Sequence, residues 1–369
     1  MIRKRVSKKA RPFVHLGATS YDIVDTANIL RYRDAANEVI IPDMVKLGNL
    51  WSGLSKKYRN TVQMGRTHGQ HAEPITFGFT IAQYLSRWGN RVNAIERSAG
   101  ALTGKFSGAV GAYNATSMLF PDPVKFEKDV LSGLGLKPAA ISTQVLPPEP
   151  LSDFLHAITS SFAVIANFSD DMRHLQRSEI AEVCEMQESK QVGSSTMPQK
   201  RNPINFENVK SMFKEFMPRM VTVYLDMICE HQRDLTNSCS QRYLPEMLVG
   251  FDSSVRRMIK VSSRLQVDES ALERNFRMSR GKVCAEPLYI MLAFYGHPDA
   301  HEYVRELVKK SAETGETMME LMACDASVKQ YLGKFTKKQK DIIENPESYT
   351  GAASRKAAEI VKIWEDCNG

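Results

Sequence analysis

Apolar residues recur at helical spacing along most of the chain. Five long segments carry this pattern, over residues 22–58, 75–98, 151–190, 204–228 and 244–265. The first would extend ~55 Å at about 1.5 Å per residue, although Pro42 is expected to kink it. The alternation typical of strands is scarce, and residues 64–74 read as a polar loop. The pattern therefore predicts an all-α fold built on a bundle of five long helices.

The periodic pattern shortens after about Asp268, with breaks at Gly296-His-Pro298 and at Pro346. We therefore expect a central helical bundle domain over residues 21–267 and a small helical C-terminal domain over residues 268–369. Helices as long as those of the bundle bury only part of their apolar surface within one subunit. This favours a homo-oligomer.

The formal net charge of +7 is concentrated at the N-terminus. The first eleven residues hold six Lys or Arg and no acid, so the remainder carries only +1, which argues against a nucleic-acid partner. No apolar run approaches the ~18 residues of a membrane span, and no signal peptide is visible. The six cysteines are scattered without a CxxC pair, which fits a reducing, cytoplasmic location better than a zinc site or a disulfide framework.

A polar loop between two predicted helices carries the strongest chemical signal. It reads Gly193-Ser-Ser-Thr-Met-Pro-Gln-Lys-Arg-Asn-Pro203. Ser194 and Ser195 lie where backbone N–H groups can surround an oxyanion, and Lys200 adds a fixed positive charge. A serine becomes a base only as an alkoxide held by such groups, an arrangement that suits removal of a proton beside a carboxylate. The competing interpretation is a solvated, serine-rich linker.

A second polar stretch, Gly65-Arg-Thr-His-Gly-Gln-His71, places His68 next to a glycine. A histidine there can reach a substrate, and its ordinary pKa near neutrality suits a general acid. Arg66 could hold an anion. Metal binding is less attractive, because no further His or carboxylate falls at ligand spacing.

Two further stretches could bind anions. His15 precedes Thr19-Ser-x-Asp22-x-x-Asp25 at a predicted helix start, where a helix cap and a carboxylate or phosphate site are about equally favoured. The segment from Arg233 to Arg242 holds two arginines near a serine, which suits phosphate or carboxylate. No Gly-rich strand-turn-helix element for a nucleotide cofactor is visible, so no cofactor is expected.

These motifs resemble a known family. The loop at residues 193–203 matches every fixed position of the fumarase/aspartase superfamily signature. Within that superfamily, residues 65–78 and 17–26 resemble the adenylosuccinate lyases, as do residues 107–111, 141–144 and 233–242. Other superfamily members typically carry Leu-Gln where this chain has Gly69-Gln70. The likeness extends from about His15 to Arg242, and more loosely to the C-terminus.

The resemblance implies a lyase of purine nucleotide biosynthesis that releases fumarate by β-elimination. Its substrates would be adenylosuccinate, giving AMP, and the succinylated aminoimidazole carboxamide ribotide. By motif, Ser194 resembles the base and His68 the general acid. Lys200 would hold a succinyl carboxylate, Glu207 would support the histidine, and His15 corresponds to a second histidine near the site.

The resemblance also implies a set of substrate-binding residues. They are Thr19, Ser20, Asp22, Arg66, Thr67, Gln144, Ser195, Met197, Asn202, Arg233, Ser238 and Arg242. Of these, Arg233, Ser238 and Arg242 would take the nucleotide phosphate. The family assembles each site from three subunits of a homotetramer, without a metal or cofactor.

One departure from the family is expected to matter. Its members carry several dozen residues before the His15 segment, with an Arg-Tyr and an Arg-His-Asp motif that this sequence does not show. Residues 1–20 would then be a remnant of that N-terminal domain with a basic stub. Two alternatives stay open: a carboxymuconate cycloisomerase-like member of the superfamily, or a truncated paralogue without catalysis.

Overall fold

The fold is known from a computed structural model, which describes residues 1–186, 197 and 199–368. Helices dominate this part of the chain, and the all-α prediction is confirmed. In chain order, the α-helices are α1 Ile2–Arg5, α2 Ser20–Ala35, α3 Ile41–Lys57, α4 Phe77–Gly100, α5 Asn114–Ser117, α6 Pro123–Gly133, α7 Glu149–Leu175, α8 Ile204–Phe216, α9 Arg219–Leu225, α10 Leu244–Ser262, α11 Glu269–Arg277, α12 Arg280–Val283, α13 Ala285–Phe294, α14 Ala300–Thr314, α15 Met318–Cys324, α16 Ala326–Leu332, α17 Lys337–Glu344 and α18 Ala353–Asn368. Short 3₁₀ turns lie at Arg11–Phe13, Ser240–Arg242 and Pro346–Ser348.

The first long helical segment passes Pro42 by a π-helical turn at Ala36–Ile40. The Ile41 N–H donates to the Ala36 carbonyl, five residues back, and α3 continues from there. Proline has no N–H, and its ring would crowd the carbonyl of residue 38 in a regular α-helix. The wider turn accommodates the proline where the sequence predicts a kink.

Two of the five predicted helices are too long. Helix α7 ends at Leu175, fifteen residues before the predicted end, and the chain then forms the short strand β3 at Val183–Cys184. The segment predicted as one helix over 204–228 is divided into α8 and α9 at Met217-Pro218. Pro218 cannot donate a helical hydrogen bond, which explains the second break.

The prediction of a loop over residues 64–74 is wrong, because the chain there forms an antiparallel hairpin. Strands β1 (Val62–Thr67) and β2 (Gln70–Thr76) pair with Val62 opposite Thr76 and Thr67 opposite Gln70. The register shifts at Gly65, where a Cβ atom would come within 2.6 Å of the Glu73 carbonyl oxygen. A β-bulge that requires this glycine, and the polar side chains around it, hides the strand alternation. Strand β3 pairs with β4 (Gln266–Val267) in a second short ladder.

The chain divides into two compact units. Unit one comprises Met1–Gly48, Arg87–Asp170 and Ile204–Ser263, and unit two comprises Asn49–Ser86, Asp171–Pro203 and Arg264–Gly369. The divisions fall inside α3, α4 and near the end of α7, so these units do not follow the boundaries expected at residues 20 and 267. Those domain boundaries remain a prediction.

Aromatic residues form the centre of unit one. Phe162 lies 5.6 Å from Phe251 and 5.9 Å from Phe213, measured between ring centroids. Trp88 is fully buried, and its indole N–H donates to the Met44 carbonyl at 2.8 Å. The apolar stripes of α3, α4, α7, α8 and α10 therefore pack as the periodicity predicts.

Unit two has its own core, formed by α13 to α17. Leu288, Leu292 and Val328 are fully buried within it. A smaller cluster of Met64, Phe276 and Val283 anchors the β1–β2 hairpin on helices α11 and α12. Among the described helices, none combines the length and apolar character that crossing a bilayer requires.

Candidate functional site

The hairpin of unit two presents His68 at its tip. Thr67 and Gln70 close the ladder, so His68 and Gly69 form a two-residue loop. Both have positive φ, 54° and 74°, which is the backbone of a type I′ turn. Thr67 and His68 are exposed. The structure therefore places the predicted general acid on a tight, fixed turn.

Arg66 points away from the hairpin tip. Its Nη2 forms an ion pair with Oε1 of Glu182 at 2.6 Å, and its Nη1 donates to the Met64 carbonyl at 3.2 Å. The Glu182 side chain is fully buried, whereas that of Arg66 retains 15% of its exposure. The sequence predicts that Arg66 holds a substrate anion, but the structure gives its guanidinium an internal partner.

The second histidine of the hairpin, His71, is also held internally. Its Nδ1 lies 2.8 Å from the Ser279 hydroxyl. Partial burial lowers the pKa of His71, and the positive charge of Arg66 lowers it further, against an opposing effect of Glu182. His71 is therefore neutral near pH 7 and supports the hairpin from within unit two.

The signature loop is only partly described. Ser194 and Ser195, the predicted base and its neighbour, lie outside the described residues. Within the described part, the Lys200 N–H donates to the Met197 carbonyl at 3.0 Å, and the Lys200 side chain is exposed. Asn202 is half-buried. Their predicted contacts with the succinyl carboxylates remain predictions.

Gln176 bonds to both flanks of this loop. Its Oε1 accepts from the Glu185 N–H at 3.1 Å, and its Nε2 donates to the Arg201 carbonyl at 3.1 Å. One side chain thus holds the backbone on both flanks of the loop, at Glu185 and at Arg201. The helical pattern predicted through Lys190 concealed this role.

In unit one, Asp22 is a buried structural carboxylate. It forms an ion pair with Lys105, and both side chains are fully buried. Its Oδ1 also accepts from the N–H groups of Ser107 at 3.1 Å and Gly108 at 3.3 Å, and its Oδ2 accepts from the Thr19 N–H at 2.8 Å. With four donors inside the fold, Asp22 supports its neighbours, and its predicted contact with the substrate remains a prediction.

The other predicted residues near this helix start are accessible. Thr19 is the N-cap of α2, and Ser20 is its exposed first residue. The cap interpretation thus applies to Thr19, while the Ser20 hydroxyl stays open to a ligand. His15 is exposed, with a positive φ of 68°.

Arg233 is the predicted anion-binding residue of unit one that has the most contacts described below. Its guanidinium carbon lies 4.0 Å from the ring centroid of Tyr21, whose hydroxyl accepts from Nη2. Its Nη1 donates to Asn237 Oδ1 at 3.2 Å, and its buried Nε has no hydrogen-bond partner in the described residues. The Gln144 N–H donates to the carbonyl of Gln232, so Gln144 adjoins this segment. Aromatic and amide partners hold the guanidinium, which also interacts electrostatically with Asp25. A guanidinium fixed in this way suits an anionic ligand.

A cavity of about 120 Å³ lies beside Arg233, lined also by Asp25 and Asn237. Burial raises the pKa of Asp25. The Leu146 N–H donates a hydrogen bond to Asp25 Oδ2 at 3.1 Å, which acts in the opposite direction. Ligand sites usually measure roughly 300–1,000 Å³, so this cavity alone is too small for a nucleotide. Ser238 and Arg242, the other predicted phosphate ligands, lie on the same segment, and both are exposed.

Glu207 lies exposed in the first turn of α8, and its support of a histidine remains a prediction.

Sequence reasoning missed Lys105, Gln176 and Glu182. Lys105 lies in a run of small residues without a recognisable motif, and Glu182 lies in a segment predicted as helix. Across residues 1–186, 197 and 199–368, no group of three or more His, Cys, Asp or Glu side chains is arranged to hold a metal ion.

Comparison with known proteins gives these motifs a family. Residues 3–217 match the family model described as lyase, and residues 229–340 match the one described as adenylosuccinate lyase C-terminal. The adenylosuccinate lyase of Pyrococcus abyssi is 35% identical over 359 residues, covering 96% of this chain and 78% of the relative. The chain belongs to the adenylosuccinate lyase family. The resemblance predicted from the motifs is therefore confirmed.

Solved structures agree with this family at the level of the fold. A fumarate lyase from Mesorhizobium sp. BNC1 has a TM-score of 0.85 at 21% identity, covering 98% of this chain and 80% of that one. A 3-carboxy-cis,cis-muconate lactonizing enzyme from Pseudomonas putida has a TM-score of 0.83 at 25% identity, covering 98% and 79%. Identity to the adenylosuccinate lyase is higher, and residues 229–340 match the model described as adenylosuccinate lyase C-terminal, so the cycloisomerase alternative is not favoured.

Proposed function

We propose that the chain eliminates fumarate from adenylosuccinate, giving AMP, and from the succinylated aminoimidazole carboxamide ribotide. The observation that carries this proposal is the 35% identity to an adenylosuccinate lyase over 96% of the chain. The reaction serves purine nucleotide biosynthesis. Its chemistry needs a base, an acid and a holder for two carboxylates, and the motifs supply a candidate for each.

In the proposed mechanism, Ser194 removes the proton from the succinyl carbon next to a carboxylate. Lys200 and Asn202 hold the carboxylates and stabilise the negative charge of the aci-carboxylate that forms. The electron pair of the broken C–H bond becomes the new C=C bond as the C–N bond breaks. His68 donates its proton to the departing nitrogen, so fumarate and AMP leave with atoms and charge balanced.

The tight turn supports the role of His68. A type I′ turn with both residues at positive φ leaves the backbone little freedom, so the imidazole starts from a defined position. Thr67 precedes it on the exposed end of β1 and is proposed to bind the substrate. Ser195 and Met197 are proposed to do so from the signature loop.

Arg233 is proposed to bind the nucleotide phosphate, with Ser238 and Arg242. Its support is the guanidinium held on Tyr21, beside a cavity that it lines. Gln144, Thr19 and Ser20 are proposed to hold the rest of the nucleotide, and His15 to lie near the site.

We propose a homotetramer in which each site takes residues from three copies of the chain, as the family resemblance implies. Exposed apolar side chains support an oligomer: Leu225 and Ile228 at the end of α9 and just after it keep 64% and 74% of their exposure, and Ile23 on α2 keeps 52%. Sedimentation velocity tests this. A stable monomer at micromolar concentration contradicts the shared-site proposal.

The reaction is tested by adding adenylosuccinate to the purified chain and following the ultraviolet absorbance as AMP and fumarate form. Ser194→Ala is expected to abolish elimination while substrate still binds in calorimetry. Ser263→Ala, at an exposed position on unit one, is the matched control and is expected to keep wild-type activity. Full activity in Ser194→Ala removes Ser194 as the base. A folded chain that binds but never turns over adenylosuccinate favours the non-catalytic alternative.

A further inference from the structure

Glu182 is a fully bonded buried carboxylate of unit two, and the proposed mechanism does not use it. Its side chain is fully buried. Oε1 accepts from Arg66 Nη2 at 2.6 Å and from Asn275 Nδ2 at 2.8 Å, and Oε2 accepts from Gln63 Nε2 at 2.8 Å. A buried carboxylate is costly unless donors surround it in this way.

These partners tie three segments together. Gln63 and Arg66 belong to β1, and Asn275 belongs to α11. The backbone of Glu182 is fixed as well, because its N–H donates to the Leu175 carbonyl at 2.9 Å and its carbonyl accepts from the Asp268 N–H at 3.0 Å. A rigid anchor therefore holds β1 by two side chains, one of which is two residues before His68.

We propose that Glu182 is a positioning residue for His68, acting through Arg66 and the β1 strand. This inference rests on the proposed function, in which His68 is the general acid. The carboxylate holds Arg66 inward, so the charge of Arg66 stays away from the hairpin tip. It also fixes the strand that ends at Thr67 and leads into the turn. An error of about 1 Å in such a group can cost roughly 100-fold in rate.

The network allows a variant that removes the charge and keeps the hydrogen bonds. The Thr80 hydroxyl donates to Gln63 Oε1 at 2.6 Å, and a hydroxyl can equally accept. In Glu182→Gln, the Gln63 amide can turn over, donate to Thr80 and accept from the new amide at position 182. Arg66 and Asn275 then still donate to the side-chain oxygen of the glutamine at position 182. Only the negative charge opposite Arg66 is lost.

The test measures lyase kinetics and histidine NMR in the full chain. In Glu182→Gln, Arg66 loses the ion pair that holds it inward, so kcat is expected to fall about 10- to 100-fold while KM changes by less than about threefold. The pKa of His71, read from its ¹³Cε1 signal, is expected to fall further, because Glu182 raises it and Arg66 lowers it. The His68 signal is expected to shift as the turn moves.

Two further variants separate positioning from a general loss of stability. The swap Gln63→Glu with Glu182→Gln keeps the charge count and the bond between these two side chains, and is expected to restore part of kcat. Glu127→Gln neutralises an equally buried carboxylate in unit one, which accepts from the Phe106 N–H and the Tyr113 hydroxyl, and is expected to leave the His71 pKa unchanged.

Each outcome decides the proposal. Unchanged kcat and an unchanged His68 signal in Glu182→Gln overturn it, as does a loss confined to KM. If Glu182→Gln does not fold, the swap variant decides by the same readouts. If the wild-type chain itself does not turn over adenylosuccinate, the proposed function fails. The His68 NMR signal and the amide hydrogen exchange of the hairpin then show by themselves whether Glu182 positions the turn.

Discussion

The Asp22–Lys105 ion pair should be among the costliest contacts of unit one to break. Both side chains are fully buried, and Asp22 also accepts from three backbone N–H groups. Asp22→Asn removes the charge and turns an amide N–H₂ toward groups that are themselves donors. Breaking a buried pair in this way costs roughly 3–5 kcal/mol, because the ammonium stays buried without its counter-charge.

The assay is urea unfolding at fixed protein concentration, since an oligomer's stability depends on concentration. Amide hydrogen exchange of α2 peptides reports the same change locally in unit one. The matched control is Glu365→Gln, which breaks the pair with Lys56 in unit two, where both side chains are about half exposed. An exposed pair contributes roughly 0–1 kcal/mol, so this control should change little.

A double-mutant cycle makes the prediction sharper. Lys105→Met fills similar space without charge, and Asp22→Asn with Lys105→Met should destabilise unit one by less than the sum of the two single changes. A loss below about 1 kcal/mol in Asp22→Asn, or strict additivity in the cycle, would refute the reasoning that burial makes this pair costly.

Three other predictions follow from the backbone and from one aspartate. Gly69→Ala, at φ 74°, should destabilise the protein by roughly 1–2 kcal/mol in thermal unfolding and lower kcat. Its control is Gly53→Ala, at an exposed helix position with open space, which should stabilise the protein by roughly 0.5–1 kcal/mol in the same assay. Gly250→Ala places a methyl group 2.2 Å from Phe216 and should lower stability by roughly 1–3 kcal/mol, and an unchanged unfolding midpoint would contradict that contact. Hydrogen bonds from Glu230 and Thr236 lower the pKa of Asp234 to about 2. Its contribution to the stability of the folded turn is therefore complete above its ordinary pKa and is lost as the pH falls toward 2. A ¹³C carboxyl titration centred at the ordinary value would contradict this.

The helical part of the fold was largely predictable, because periodicity reports which face of each helix is buried. Trp88, Phe162 and Phe251 all lie on predicted stripes and all reach the core. Periodicity failed where a single residue changes the backbone. Pro218 divides a predicted helix, and the Gly65 bulge together with polar neighbours conceals a hairpin.

The candidate site was predictable as a set of motifs, though not as a set of contacts. The motifs predicted an accessible His68 and an anion-binding role for Arg233, whereas the tight turn and the contact with Gln144 came from the structure. They could not predict that Arg66 faces inward, because its partner Glu182 lies more than a hundred residues further along the chain and no nearby motif indicates it. The spacing of a motif states which residues are near one another along the backbone, while burial decides which of them a ligand can reach.

The turn at the tip of the hairpin sets stability against activity at one position. A type I′ turn prefers Asn in its first place, and a histidine at φ 54° costs roughly 1 kcal/mol relative to a residue that tolerates this region. In the proposed mechanism His68 is the general acid, so a lineage under selection for the reaction would keep that cost. A duplicated copy that no longer needs catalysis would become more stable by substituting Asn at this position. The residue found there would therefore separate catalytic descendants from non-catalytic ones.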